Sequence, residues 1–119
     1  MLIDTSGVSI DECHVISSSR LIVSWVYSPI YTLDDYWVTI RIVYRKQGSS
    51  NENIYPSTDQ PALDATNEIC EIQGNFDMET PYEVFPLIYE NNNMNASFSS
   101  YAILCSSPAQ NCKFYYFRQ

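Results

Sequence analysis

The sequence predicts an all-β protein, a single domain built as a β-sandwich of seven strands. Apolar residues alternate with polar ones over short segments, which is the two-residue period of half-buried strands. Turn-forming residues separate these segments at regular intervals. Composition agrees with this pattern, since 14% of the 119 residues are aromatic and ten are tyrosines, which favours strands over disorder.

The first three strands have the clearest patterns. We predict the first over Val8–Ile16 and, after a turn of three serines, the second over Arg20–Tyr27. A loop containing Pro29 leads to the third, over Tyr36–Lys46, which stops at a Gly-Ser-Ser turn. In the second and third strands the residues expected to face the core are Leu21, Val23, Trp25, Ile40, Ile42 and Tyr44.

Four further strands complete the prediction. A weak fourth strand is expected at Ile54–Tyr55, and the fifth is predicted over Glu68–Gln73, where a Gly-Asn pair ends it. The sixth begins near Tyr82 and ends before a run of three asparagines, and the seventh covers about Ala96–Cys105. No segment of convincing length has a helical period. The core residues expected from this half of the chain are Ile72, Phe76, Tyr82 and Val84.

Two segments carry a more specific pattern. Trp25 lies in the second predicted strand, and Phe76-Asp77-Met78-Glu79-Thr80-Pro81-Tyr82 leads into the sixth. Together they resemble the fibronectin type III family of immunoglobulin-like β-sandwiches. In that family a tryptophan sits in the second strand and a Leu-x-Pro-x-Thr-x-Tyr corner precedes the sixth. Phe76 takes the leucine position, and Thr80 and Tyr82 match the threonine and the tyrosine. Met78 departs from the pattern, because it replaces the proline.

The resemblance covers about residues 8–105, and it implies that residues 1–105 form one fibronectin type III-like domain. It also implies that the ring of Tyr82 is buried while its hydroxyl bonds to the upstream backbone and fixes the corner. Pro86 falls within the sixth strand, where a missing N–H interrupts a ladder, so we expect a bulge or an early end to the pairing. Residues 106–119 form a tail with four consecutive aromatic residues, which we expect to pack on the sandwich. The alternatives are that it continues into a neighbouring domain or contacts a membrane.

The charge balance argues against a nucleic-acid partner. The chain has 14 acidic and 6 basic residues and a net charge of −8 at pH 7, and such a protein repels phosphate backbones. We expect this charge to keep an exposed surface soluble. The alternative is that it steers a basic partner toward the protein.

Cysteines and a glycosylation sequence predict an extracellular location. An even number of cysteines in a small β domain favours disulfides and an oxidising compartment; here they are Cys13, Cys70, Cys105 and Cys112. Asn95-Ala96-Ser97 is an acceptor sequence for N-glycosylation. We expect no signal peptide in this sequence, and no apolar run is long enough to span a membrane. We therefore expect a mature secreted protein or the ectodomain of a cell-surface protein, held at a membrane only through a missing anchor.

The pairing of the cysteines stays open at this level, because four cysteines allow three complete pairings. The resemblance implies that the first and fifth strands flank the second, about 10 Å apart, which disfavours a Cys13–Cys70 bond. Cys105 and Cys112 enclose a short loop, and we favour this bond. The first and last strands of the family also approach each other, which permits Cys13–Cys105 or Cys13–Cys112.

Residues suited to catalysis are sparse, and we predict no enzyme, no cofactor, no metal and no small-molecule substrate. His14 is the only histidine, and the adjacent Cys13 would point to the opposite face of the strand. The cysteine spacing matches no zinc motif. The acidic pairs Asp34-Asp35 and Asp11-Glu12 lack the pattern of a calcium loop, and three glycines are too few for a phosphate loop.

The third and sixth strands predict a partner-binding face. The resemblance implies that they are neighbours in one sheet, so their outward residues share its outer surface. Water-facing sheets normally carry polar residues there, whereas an exposed apolar patch usually marks an interface. Two alternatives remain: a bulge at Pro86 could reverse the facing of the residues after it, or the tail could cover this face. The predicted contact residues are Trp37, Arg41, Val43, Phe85, Leu87 and Tyr89.

These observations predict a non-enzymatic extracellular module of a receptor, an adhesion molecule or a secreted binding protein. It would act by contact with a protein partner or by self-association. The alternative is a passive structural spacer, or an accessory domain attached to an enzyme.

Overall fold

The computed structural model describes residues 7–28, 36–91, 93–95 and 103–105, and these form two antiparallel sheets in an all-β sandwich. The strands are β1 (Val8–Ser17), β2 (Arg20–Tyr27), β3 (Val38–Lys46), β4 (Asn53–Tyr55), β5 (Leu63–Asp64), β6 (Ile69–Gln73), β7 (Tyr82–Glu90), β8 (Asn93–Asn95) and β9 (Ile103–Cys105). The smaller sheet has the order β1-β2-β6. In the larger sheet β3 pairs with β7, while β4 and β5 pair with β3, and β8 and β9 pair with β7.

Alternation along the strands puts one face of each sheet into a shared core, as the sequence predicts. The predicted core residues are buried, apart from Tyr44, which packs against the core with its side chain partly exposed. Burying a large apolar side chain stabilises the fold by about 1.5–3 kcal/mol. The buried residues of the predicted core are Leu21, Val23, Trp25, Ile40, Ile42, Ile72, Phe76, Tyr82 and Val84.

On the side of β7 that faces β3, the expectation that Pro86 breaks the pairing of its strand is wrong. β7 stays in register with β3 over its whole length, and Pro86 lies opposite Ile42. Hydrogen bonds just beyond both ends of this ladder, from Asn91 N to Trp37 O and from Gln47 N to Pro81 O, make the odd-numbered residues of β3 the hydrogen-bonded positions. Pro86 therefore occupies a position whose N–H would point away from β3, and the ladder loses no donor.

Of the last predicted strand, Ala96–Cys105, the structure describes only β9, and β8 lies before its predicted start. Asn95 of β8 lies opposite Ile88, and Ile103 of β9 lies opposite Val84. β7 thus advances by four residues while its partner advances by eight, so the register changes by four residues opposite Pro86. The position of the missing proline N–H faces this change of register, where no described residue is paired with Pro86.

The corner before β7 has the predicted tyrosine contact. The backbone N–H of Asp77 donates to the hydroxyl of Tyr82 at 2.8 Å, and the Tyr82 ring meets the Phe76 ring edge to face with 5.5 Å between centroids. Phe76 N also donates to Ser18 O at 2.7 Å. A hydroxyl that accepts from its own upstream backbone closes the corner, while the two rings bury apolar area beneath it.

The side chain of Trp25 is fixed by burial and by a hydrogen bond. Its ring is buried in the core, and Nε1 donates to the carbonyl oxygen of Ala65 at 2.8 Å. Ala65 begins the short 3-10 helix Ala65–Asn67, which joins β5 to β6 and which the sequence pattern did not predict. The side chain of Asp64 caps this helix by accepting from Thr66 N.

The structure pairs Cys13 with Cys105, so the preference for Cys105–Cys112 is wrong. The two Cα atoms lie 4.5 Å apart and the bond joins β1 of the smaller sheet to β9 of the larger one. Cys70 carries a free thiol, which corrects its assignment to a disulfide. Cys13 and Cys70 both lie opposite Val23 on the two sides of β2, so two strand spacings separate them, as expected. Burial raises the pKa of the Cys70 thiol to about 12.

Some predictions fall on residues outside the described ranges. These are the packing of the tail 106–119, the loop pair Asp34-Asp35, and Cys112. Asn95 lies in β8, while the remainder of its acceptor sequence is not described, so its glycosylation stays a prediction. No helix in the described part of the chain is long and apolar enough to cross a membrane.

Candidate partner-binding face of the larger sheet

The outer face of the larger sheet is built from odd-numbered residues of β3 and β7. Even-numbered residues of both strands point into the core, since Val38, Ile40, Val84 and Ile88 are all buried. Residues directly opposite each other in a ladder share a face. The opposed pairs that line the outer face are Thr39 with Tyr89, Arg41 with Leu87, Val43 with Phe85, and Arg45 with Glu83.

The facing predicted for the residues after Pro86 agrees with this arrangement. Phe85, Leu87 and Tyr89 are partly exposed, and they alternate with the buried Pro86 and Ile88. No residue of β7 changes side, because the register with β3 is unbroken. The three predicted contact residues on β3 and just before it, Trp37, Arg41 and Val43, differ from one another in exposure and bonding.

The prediction that Val43 contacts a partner is wrong. Val43 lies on the outer face opposite Phe85, but its side chain is only 2% exposed. In the register of the sheet it has Phe85 on one side and Ile54 on the other, with Arg41 and Arg45 two positions away along its own strand. A side chain this buried supports its neighbours and has almost no surface to offer a partner.

Two exposed residues belong to this face although the sequence reading did not assign them to it. Ile54 lies opposite Val43, and Leu104 lies opposite Glu83 with a side chain 54% exposed. Ile54 is the centre of a three-residue strand, and Leu104 is the outward residue of β9. Their membership depends on the pairing of distant strands, so no local pattern indicates it.

Arg41 is tied down by a network at the centre of the face. Its Nε donates to the Tyr89 hydroxyl at 3.2 Å, and its guanidinium carbon lies 5.5 Å from the centroid of that ring. Nη1 donates to the carbonyl oxygens of Pro56 and Ser57 at 3.1 and 2.9 Å. This network fixes the loop after β4 against β7, so Arg41 acts mainly as a support for Tyr89. A stacked cation of this kind contributes about 0.5–1 kcal/mol where it is exposed to water.

Charged pairs around Arg45 border the apolar part of the outer face. Arg45 Nε donates to Glu83 at 2.9 Å, and its Nη1 lies 3.6 Å from a carboxylate oxygen of Glu52. Both acidic partners are partly exposed, and such pairs contribute little to stability in water. Their effect is to neutralise Arg45 and to leave Leu104 and Phe85 beside a polar rim, which is the usual anatomy of an interface.

Trp37 lies at the opposite end of the same face. Its side chain is 46% exposed, and its backbone is bonded to Asn91 in both directions, from Trp37 N to Asn91 Oδ1 and from Asn91 N to Trp37 O. The rigid backbone holds a large, exposed aromatic side chain next to the row of Thr39 and Tyr89. Trp37 and Leu104 are thus the most exposed apolar residues at the two ends of this face.

The basic side chains of the described residues are already engaged with partners in the protein. Every arginine and lysine within the described ranges already has acidic or carbonyl partners: Arg20 with Glu71, Arg41 with two carbonyls, Arg45 with Glu83, and Lys46 with Asp77. The net charge of −8 makes the long-range field of the protein negative. A partner with positive charge would be attracted and a phosphate backbone would be repelled.

His14 and Cys13 do not form a nucleophile and a base. Cys13 is buried and bonded to Cys105, so it has no thiol to activate. His14 lies on the outer side of β1, with Nε2 3.9 Å from a carboxylate oxygen of Glu12. This is the half-exposed strand histidine that the sequence predicts.

Comparison with models of known protein families found no match to this chain, and comparison with curated protein sequences found none either.

Proposed function

We propose that this protein is a non-enzymatic extracellular module that binds another protein through the outer face of its larger sheet. The carrying observation is a continuous run of outward apolar residues across paired strands, from Trp37 through Tyr89, Leu87 and Phe85 to Leu104. In a sheet that faces water these positions are normally polar. Aromatic residues on a rigid scaffold are those that contribute most to binding energy.

The proposal includes the fibronectin type III type of the sandwich. Three features support it: the sheet orders of the two layers, the buried tryptophan in β2, and the hydroxyl of Tyr82 bonded to Asp77 N. In such a fold β8 and β9 together are the last strand of the larger sheet. Modules of this type act by contact and spacing, which agrees with the outward apolar residues of the larger sheet.

The extracellular location rests on the disulfide between Cys13 and Cys105. A bond between two sheets, formed by buried cysteines, persists in an oxidising compartment and is rare in a reducing one. A receptor, an adhesion molecule and a secreted binding protein all meet this condition. The acceptor sequence at Asn95 adds to the same proposal.

Affinity capture tests the proposal. The wild-type domain, immobilised, is exposed to extracellular fluid and the captured proteins are identified. The capture is repeated with Trp37→Ser and Leu104→Ser, which remove exposed apolar contacts from the two ends of the face. The matched control is Val26→Ser, an exposed apolar residue on the other sheet. We expect loss of the partner with the first two variants and retention with the control.

Other outcomes separate the alternatives. If a partner is retained by every folded variant, the contact lies elsewhere and the proposed face is wrong. If no protein is captured and the domain stays monomeric at high concentration in sedimentation experiments, it is a spacer or an accessory domain. Circular dichroism and denaturant unfolding of each variant confirm that lost binding does not reflect an unfolded protein.

A further inference from the structure

The smaller sheet ends in a strand with one unpaired edge. β6 pairs with β2 over five residues, from Ile69 opposite Ser24 to Gln73 opposite Arg20, without any change of register. Among the described strands none pairs with the other side of β6. The strand contains neither proline nor lysine, the residues by which natural proteins commonly protect a sheet edge.

The hydrogen bonds at the two ends of β6 show which backbone groups face outward. Trp25 N donates to Glu68 O, and Gly74 N donates to Ser19 O. Bonded pairs alternate along an antiparallel ladder, so Cys70 and Ile72 also direct their N–H and C=O groups toward β2. Ile69, Glu71 and Gln73 direct theirs to the open edge. Three donors and three acceptors therefore stand at the spacing of a β-strand.

The other edge of the same sheet is different. β1 has register shifts between Ile10 and Glu12 and between Val15 and Ser17, and such bulges disrupt the repeat that an added strand needs. In the larger sheet β4 and β5 are three and two residues long. Within the described chain, β6 is thus the edge with the longest regular spacing of free groups.

The side chains along β6 indicate what chemistry the edge would accept. Ile69 is 58% exposed beside the open edge, and the acidic Glu71 is paired with Arg20 at 2.8 Å. An added strand would gain an apolar contact at Ile69. The net charge of −8 favours a positively charged strand and opposes a second copy of the protein. In the fully overlapped antiparallel register, a second copy would also place Glu71 opposite itself.

We infer that β6 is a second interaction site, which binds an extended, basic and partly apolar segment of another protein as an added β-strand. The main-chain groups of Ile69, Glu71 and Gln73 supply the affinity, and contact with Ile69 together with the acidic field selects the segment. This site is separate from the outer face of the larger sheet and does not depend on that proposal.

Amide hydrogen exchange followed by NMR gives a direct test. In the protein alone, we expect the amides of Cys70 and Ile72 to exchange slowly and those of Ile69, Glu71 and Gln73 to exchange fast. The probe is a synthetic eight-residue peptide of alternating valine and lysine, with both ends blocked. We expect it to protect the three fast amides while the two slow ones change little. A peptide with valine and glutamate should protect them much less.

Methylation of the peptide backbone tests the bonding directly. Successive N–H groups of an extended peptide point to opposite sides. Methylating every second backbone nitrogen therefore removes all the donors on one side, and methylating the other nitrogens removes all those on the opposite side. One of these methylation patterns should abolish protection and the other should keep most of it. If both patterns bind equally well, the peptide does not add as a strand and the inference is wrong.

A pair of matched variants tests the location. Ile69→Lys places a positive charge beside the edge, whereas Ile16→Lys makes the same change at an exposed isoleucine of β1. We expect Ile69→Lys to lower the affinity for the valine–lysine peptide by about tenfold or more, and Ile16→Lys to have a small effect on that affinity. Equal effects, or no protection at about 1 mM peptide, would overturn the inference. Protection that appears without peptide and grows with protein concentration would identify a second copy as the occupant, and would overturn it as well.

Discussion

Removal of the Cys13–Cys105 bond should lower the free energy of unfolding by a large fraction of its total. The bond closes a loop with a sequence separation of 92 residues. In the chain-entropy model a loop of this length costs the unfolded state about 4–5 kcal/mol when it is closed. A domain of this size has a total stability of about 5–15 kcal/mol. The loss is therefore enough to unfold a substantial share of the molecules at body temperature if the domain lies at the lower end of that range.

The assay is urea unfolding followed by the fluorescence of the buried Trp25, with oxidised and reduced wild-type protein side by side. We expect reduction to lower the unfolding free energy by about 3–5 kcal/mol, and Cys13→Ala with Cys105→Ala to behave like the reduced protein. Cys70→Ala is the matched control, because Cys70 carries a free thiol. Its loss should reflect only a partly buried side chain, and reduction should still destabilise the variant.

Two results would refute this reasoning. One is a loss below about 1 kcal/mol on reduction, which would mean that the unfolded chain is constrained by something other than this bond. The other is peptide mapping without reduction that finds Cys105 bonded to Cys112. That bond would close a loop of about seven residues, for which the same model gives only about 2–2.5 kcal/mol.

Three further predictions concern single side chains. Tyr82→Phe removes the acceptor for Asp77 N and should cost about 1–2 kcal/mol in urea unfolding, with unchanged circular dichroism; a cost near zero would mean that water replaces the hydroxyl. Burial raises the pKa of the Cys70 thiol from 9.0 to about 12, so iodoacetamide should label this thiol far more slowly in the folded protein at pH 8 than after unfolding. The contribution of the protonated Cys70 thiol to stability should be intact below pH 9 and lost as the pH rises toward 12. Rapid labelling of the folded protein would contradict the burial. Arg41→Met removes the bonds to Pro56 and Ser57 and should speed amide exchange in the loop after β4 while the β3–β7 amides stay protected; an unchanged loop would show that Arg41 does not hold it.

Much of the sandwich could be predicted because strand patterns are local. The covalent geometry of an extended chain sends successive side chains to opposite faces, so Leu21, Val23 and Trp25 had to share a side once β2 formed. The boundaries of β2 and the beginning of β7 agree with the predicted ones. The corner bond of Tyr82 is local too, since its partner Asp77 is five residues away.

The sequence by itself determined the all-β class, nine buried core positions and the facing of the outer residues of β3 and β7. Only the tertiary structure decided which cysteine meets Cys13, why Pro86 is harmless and how far each outer residue is exposed. A disulfide partner depends on which distant strands approach, and a proline is tolerated or not according to the side to which its missing N–H would point. Val43 is outward and yet buried, because its surroundings come from β4 and β7 as well as from its own strand. Side-chain period is a property of one strand, whereas burial and pairing belong to the strands around it.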